Sequence, residues 1–230
     1  MNALAAGPGD GTPCNARLRP PMETAHSHPL RLHVGCGRAR MEGWVNIDVQ
    51  SLPGVDVVAD VTKGLDFPDG EAEAVFAEHF LEHLPIADAL AFLGESHRVL
   101  APGCWVRLST PNLDWVWATH YRLEEAPEGK RSAAIALNRA FHGWRHQFLW
   151  NREMLEEALL SSGFDQVRWC RYGESELPLF RGIERHETYA DAPGLAHVLI
   201  VEARKGPAQP ERLGALQEIV HRDFLVHMAD

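Results

Sequence analysis

The sequence predicts an α/β protein built on an open, mostly parallel sheet, and three observations predict it. Short apolar segments alternate with helical stretches along most of the chain, which is the pattern of β-α-β units. The first of these segments runs straight into Gly35-Cys36-Gly37, a turn without side chains of the kind that admits a ligand at the carboxyl edge of such a sheet. Finally, 45% hydrophobic and 23% charged residues over 230 positions are the proportions of a soluble globular chain of one domain. A wholly disordered chain is thereby excluded.

The elements follow in order. Residues 1–28 are rich in Gly, Pro and Ala without periodicity and read as a flexible leader. Strands are predicted at 30–34, 44–49, 55–61 and 74–77, with a turn at Asp66-Phe67-Pro68-Asp69-Gly70. A helix is expected over 85–100, because Pro85 suits a first turn and Ala101-Pro102-Gly103 ends it. A fifth strand spans 105–109, and residues 111–150 form an aromatic-rich, helical insertion. Asn151 opens another helix, closed at Ser161-Ser162-Gly163, where the glycine suits a C-terminal cap. Strands near 166–172 and 197–203 bring the count to seven, so the main domain is 29–206. Pro207 and Pro210 then lead to a last helix within 207–230.

Charge and cysteine usage narrow the function classes. Thirty-two acidic against twenty-two basic side chains give a net charge of -10, which disfavours nucleic acid and anionic membrane as general partners. Cys14, Cys36, Cys104 and Cys170 are scattered singly, neither a disulfide framework nor a zinc ribbon. With no secretory signal and no apolar run of about 20 residues, a cytoplasmic location is expected.

The glycine turn can hold a nucleotide-like ligand, and Asp48, at the end of the second strand, can accept hydrogen bonds from ribose hydroxyls. Yet the third glycine of the dinucleotide fingerprint is missing. The acidic residue also follows Gly37 by eleven positions, where that fingerprint has about 20. A ligand with one ribose, one adenine and no phosphate fits better than a pyrophosphate cofactor.

Here the sequence resembles a known family. Leu32-His33-Val34-Gly35-Cys36-Gly37, Gly43-Trp44-Val45-Asn46-Ile47-Asp48, Asp60-Val61, Phe67-Pro68-Asp69 and Glu78-His79-Phe80-Leu81-Glu82-His83-Leu84 look like the ordered motifs of class I S-adenosylmethionine-dependent methyltransferases. The nearest likeness is a short-looped branch opening "GCG…GWVNID", similar to methyltransferase type 11. The resemblance implies a Rossmann-like, open, mostly parallel seven-stranded sheet of the class I methyltransferase type, with S-adenosyl-L-methionine as cofactor. It implies that Gly35, Cys36 and Gly37 wrap the methionine part, that Asp48 binds the ribose, that Asp60 and Val61 face the adenine, and that Glu78 and His79 border cofactor and acceptor. Two departures stand out. His33 replaces a carboxylate that many members use to hold the cofactor's amino group. Only residues 38–42 separate Gly37 from Gly43, where a parallel crossover takes about 10–12 residues or more. One sheet face should therefore lack its usual cover. In the last helix Leu213, Leu216, Ile219 or Val220, and Phe224 form an apolar stripe that could supply it, within one chain or across a homodimer.

Other residues suggest the acceptor side. Residues 130–152 carry five basic side chains and no Asp or Glu, interleaved with aromatics; Arg145 is the candidate contact to an anionic acceptor. Of Trp115 and Trp117, one is expected in the core and Trp115 in the acceptor pocket. His79 and His146 are the candidate bases. His79-Phe80-Leu81-Glu82-His83 also matches the HxxEH zinc-protease pattern, but Pro85 argues against an established helix there, so no metal is expected. The expected function is methyl transfer from S-adenosylmethionine to a small-molecule or glycan acceptor, at oxygen. The alternatives are a non-catalytic binding module of the same fold and, behind it, an HxxEH zinc hydrolase.

Overall fold

The structure, a computed structural model, describes residues 29–121, 126–186 and 191–228, so the expected leader lies outside the described residues. Its elements are β1 (Leu30–Val34), β2 (Val45–Asp48), β3 (Val57–Val58), β4 (Ala72–Glu78), α1 (Ile86–Val99), β5 (Leu100–Pro111), α2 (Leu113–His120), α3 (Pro127–His142), α4 (Arg152–Ser161), β6 (Phe164–Cys170), β7 (Val198–Lys205) and α5 (Pro210–Asp223). They form one seven-stranded sheet in the order β3-β2-β1-β4-β5-β7-β6. All neighbours are parallel except β7, which is antiparallel to β5 and β6.

Two elements differ from expectation. The third strand shrinks to two residues, because Asp60 caps a 3-10 turn over Val61–Lys63 and draws Val61 into the core. The fifth strand instead begins at Leu100 and runs past Pro102 and Gly103. Its register jumps from Ala72↔Leu100 to Ala74↔Trp105, so the proline sits in an irregularity where no ladder hydrogen bond is required of it.

Side-chain alternation along the strands divides the molecule into two layers. Leu32, Val34, Val75, Ala77, Val106, Leu108, Leu199 and Val201 point to one face and pack beneath α1 and α4. His33, Phe76, Trp105 and Arg107 point to the other. Among the described residues no α-helix contributes to the apolar cluster on that second face. Residues 171–186 cover it, with Phe180 and Ile183 packed on Met41, Ala74 and Phe76. The fully buried Arg107 pins this cover to the sheet: its Nε donates to Glu184 at 2.6 Å and another guanidinium nitrogen pairs with Glu202 of β7.

The expected role of the last helix is therefore corrected. Leu216 and Val220 are buried and Leu213 and Phe224 partly so, while Ile219 is exposed. The stripe exists, but it packs on α1 and α4 rather than on the face lacking a crossover.

Candidate functional site

The site lies at the carboxyl ends of β1, β2, β4 and β5. Gly35 and Gly37 both take left-handed backbone angles, φ +66° and +52°. At Gly35 the requirement is also spatial: a Cβ there would run into the Phe80 ring. Asp48 closes the loop, accepting from the Gly37 amide at 2.8 Å and from the Gln50 amide at 2.9 Å. A bare glycine backbone beside a carboxylate with lone pairs to spare is the donor and acceptor set that an aminoacyl group and a ribose diol require, so these residues fit the implied cofactor. The Cys36 thiol is buried, and burial and then Asp48 push its pKa up to about 11, so it stays protonated at neutral pH.

The other residues implied by resemblance are already engaged. Asp60 accepts from Thr62 and pairs with Lys63 at 2.8 Å; chiefly through that lysine, its pKa is pulled down to about 2. Val61 is in the core. Glu78, buried at the end of β4, accepts from the amides of Arg185 and His186 and so fastens the chain end of the covering segment. His33 lies on the second face, bonded to Asn46 and stacked on Phe76, and burial lowers its pKa. Its polar atoms and ring are thus spent on packing within that face.

Beyond the glycine loop opens a cavity of ≈ 620 Å³. Six histidines line it: His79, His83, His120, His146, His186 and His197, together with Glu82, Trp115, Trp144 and Arg139. Glu82 is its buried anchor, one carboxylate oxygen accepting from Thr110 Oγ1 at 3.0 Å and the other 3.0 Å from His79 Nδ1. A carboxylate only accepts, so His79 Nδ1 carries the proton and Nε2 is the basic nitrogen. His79 holds this place with φ +46°, a conformation uncommon for a residue with a side chain. The Glu82 carbonyl also accepts from the Gln147 amide at 2.7 Å, which draws His146 against His83 with rings 5.1 Å apart. His146 Nδ1 donates to the Ala140 carbonyl at 2.7 Å, again leaving Nε2 as the basic nitrogen. Burial lowers the His146 pKa, partly offset by that bond.

The insertion 111–150 supplies the cavity's outer wall. Asn112 caps α2, and α2 packs on α3 through Val116, Ala140 and Leu149. Trp115 faces the cavity with its indole N–H buried and, among the described residues, without a hydrogen-bond partner. Trp117 is not in the core but exposed and stacked on Tyr121. Arg145 stands outside the cavity, exposed beyond the end of α3 at Gly143. Arg139 is the basic side chain on the wall, and among the described residues it has no ion pair. The glycine at 143 was the available signal, since it ends the helix before Arg145.

The structure thus gathers His79, His146 and Trp115 in one cavity and holds the Gly35-Cys36-Gly37 loop against Asp48 at the end of β2, with Phe80 between. The HxxEH histidines do not stand one α-helical turn apart, because Leu81–His83 is a 3-10 turn. Glu82 and His83 are cavity residues that sequence reasoning passed over.

Comparison with known proteins gives three findings. A family profile described as "Methyltransferase domain" matches residues 25–168. No curated protein matches the chain significantly. Among solved structures, a SAM-dependent methyltransferase of Archaeoglobus fulgidus is similar at TM-score 0.52 and 17% identity, over 77% of this chain and 86% of that one. An S-adenosylmethionine-dependent methyltransferase of Mesorhizobium loti has TM-score 0.48 and 17% identity, over 76% and 90%. A phosphoethanolamine N-methyltransferase 2 of Haemonchus contortus, solved with S-adenosyl-L-methionine, has TM-score 0.47 and 13% identity, over 81% and 50%. At such identities the likeness concerns the fold.

Proposed function

The chain belongs to the methyltransferase-domain family, as an enzyme that depends on S-adenosylmethionine, and from that premise we propose that it methylates an oxygen of a small-molecule or glycan acceptor held in the histidine-lined cavity. The His79–Glu82 pair carries this reading. Its neighbour Phe80 lies against the cofactor loop at Gly35, while His79 itself lines the cavity, so one short segment serves both.

When bound, S-adenosylmethionine supplies an electrophilic sulfonium methyl. An alcohol must lose its proton as its oxygen takes up that methyl, and a neutral imidazole suits the task at pH 7. His79 Nε2 accepts the acceptor's proton, and Glu82, holding Nδ1–H, orients the ring and stabilises the imidazolium. The cavity walls offer surfaces that can fix the oxygen for in-line attack. Trp115 Nε1–H and Arg139 offer a donor and a charge for an anionic group on the acceptor.

Two variants test the reading. Asp48→Ala should weaken S-adenosylhomocysteine binding in calorimetry by about 1–3 kcal/mol, as hydrogen bonds to a charged group are lost. Unchanged affinity would remove Asp48 from the cofactor site. His79→Gln should lower labelled-methyl transfer to hydroxyl acceptors by roughly 10²–10⁴-fold at near-wild-type cofactor affinity. Full transfer in that variant would dismiss His79 as the base.

A further inference from the structure

We propose that Glu82, His83 and His146 form a binding site for a divalent transition-metal ion of the zinc type, placed in the wall of the acceptor cavity. One potential ligand atom from each of the three lies within 4.8 Å of the other two. The residues come from separate parts of the chain: a 3-10 turn after β4 supplies two, and the segment beyond α3 supplies the third. The Gln147 amide bond to the Glu82 carbonyl is what brings them together.

The donor chemistry fits the ion. Two imidazoles and one carboxylate are a three-ligand set that binds zinc and its neighbours and leaves coordination positions for water or substrate. The surroundings resemble a second shell. A histidine that ligates through Nε2 usually donates its other N–H to a carbonyl or carboxylate, and His146 does so to Ala140. Glu82 is likewise held, by Thr110 and His79. With bonds of about 2.0–2.1 Å, ligand atoms on one zinc sit nearer together than 4.8 Å. His83 is exposed, and a change of its side-chain rotamer can close the difference.

This differs from the HxxEH reading in its ligands. His79 is not among them: its Nδ1 is committed to Glu82, and it remains the base. The inference rests on the proposed function only for the ion's role. A cation in the cavity wall would act as a Lewis acid on the acceptor hydroxyl, lowering its pKa so that His79 Nε2 takes the proton more readily. Metal binding itself can be read without any acceptor.

The test uses the full chain, stripped with chelator and titrated with cobalt(II) while visible absorption is followed. One equivalent should give a saturating d–d spectrum, and zinc should abolish it by displacement. His83→Ala and His146→Ala should each weaken cobalt binding at least tenfold, whereas His186→Ala, a cavity residue outside the cluster, should leave it within twofold. No saturating spectrum in the wild type would overturn the proposal. So would a spectrum unchanged in both ligand variants. Circular dichroism establishes that each variant is folded. If His146→Ala is not, displacement of cobalt by zinc and imidazole-nitrogen shifts of His83 and His146 in the wild type decide in its place. S-adenosylhomocysteine binding is measured on the same metal-free samples. Its loss there would count against the cofactor reading and leave the metal titration to stand by itself.

Discussion

At Gly35 two independent demands meet, a left-handed backbone and the absence of a side chain beside Phe80. Gly37 has only the first, since nothing lies within 4 Å of its would-be Cβ. Gly37→Ala should therefore cost about 1–2 kcal/mol, the ordinary penalty for that backbone region. Gly35→Ala should cost more and also displace Phe80, lowering both the melting temperature and S-adenosylhomocysteine affinity. Equal melting of the two variants would show that the ring is not seated against the loop. A second pair separates Arg139 from Arg145. For an anionic acceptor, Arg139→Ala should raise KM several-fold with little change in kcat, and Arg145→Ala should leave both near wild type. The reverse pattern would mean that the acceptor leaves the cavity through the loop after α3. The tight turn at Gly35 and the place of Asp48 at a strand end were legible, because glycine before a turn and a strand closing on an aspartate show in the sequence itself. Arg139 was not, because five basic residues in one segment look alike until the helix end at Gly143 is known. Glu82 was hidden for another reason: a buried carboxylate is recognised by its partners, and Thr110 lies far along the chain.

Among the elements, the crossover shortened to residues 38–42 pointed to a sheet face lacking its usual cover, and among the described residues no α-helix packs there. What covers that face was not legible. Residues 171–186 have no helical or strand periodicity, and their anchor is a buried charge cluster, whereas sequence patterns place charges outside. Arg107 has a carboxylate on either side, Glu184 from the cover and Glu202 from β7. Replacing Glu184 with Ala leaves the guanidinium short of charge in a site from which water is excluded and frees the cover. Breaking such a pair costs roughly 3–5 kcal/mol, so the urea midpoint of Glu184→Ala should fall sharply. The pair between Arg212 of α5 and Glu157 of α4 is half-exposed, and Arg212→Ala should cost under about 1 kcal/mol. Comparable losses in the two variants would place the covering segment on its apolar contacts with Phe180 and Ile183 instead. The same contrast explains the last helix. Its stripe of Leu213, Leu216, Val220 and Phe224 could be read from spacing, but not the surface it meets, because α1 and α4 offer an apolar face as suitable as the sheet.

Across the whole molecule, one buried and two half-buried histidines in different places share one electrostatic property. His33 under the second sheet face, His146 after α3 and His197 before β7 all have pKa values lowered from about 6.5, in each case chiefly by desolvation. The neutral folded forms must be matched against unfolded chains that protonate near pH 6.5. Between the lowered folded values and 6.5 the unfolded state binds more protons, so stability rises with pH. The contribution is complete above about pH 6.5 and is lost progressively as pH falls below it. A net charge of -10 works the other way, because protonation on acidification relieves self-repulsion. The variant His33→Gln separates the two effects, since it removes one neutral histidine with little change in the net charge near pH 7. Melting temperatures measured from about pH 8 to about pH 5 should fall below pH 6.5 in the wild type and fall less steeply in His33→Gln. Carboxylates held in ion pairs add their own losses only at lower pH, near their ordinary range of about 4. Parallel pH profiles for the two proteins would show that His33 takes up its proton without disturbing its bond to Asn46 or its stacking on Phe76, and that burial at this position does not set the acid limit of the fold.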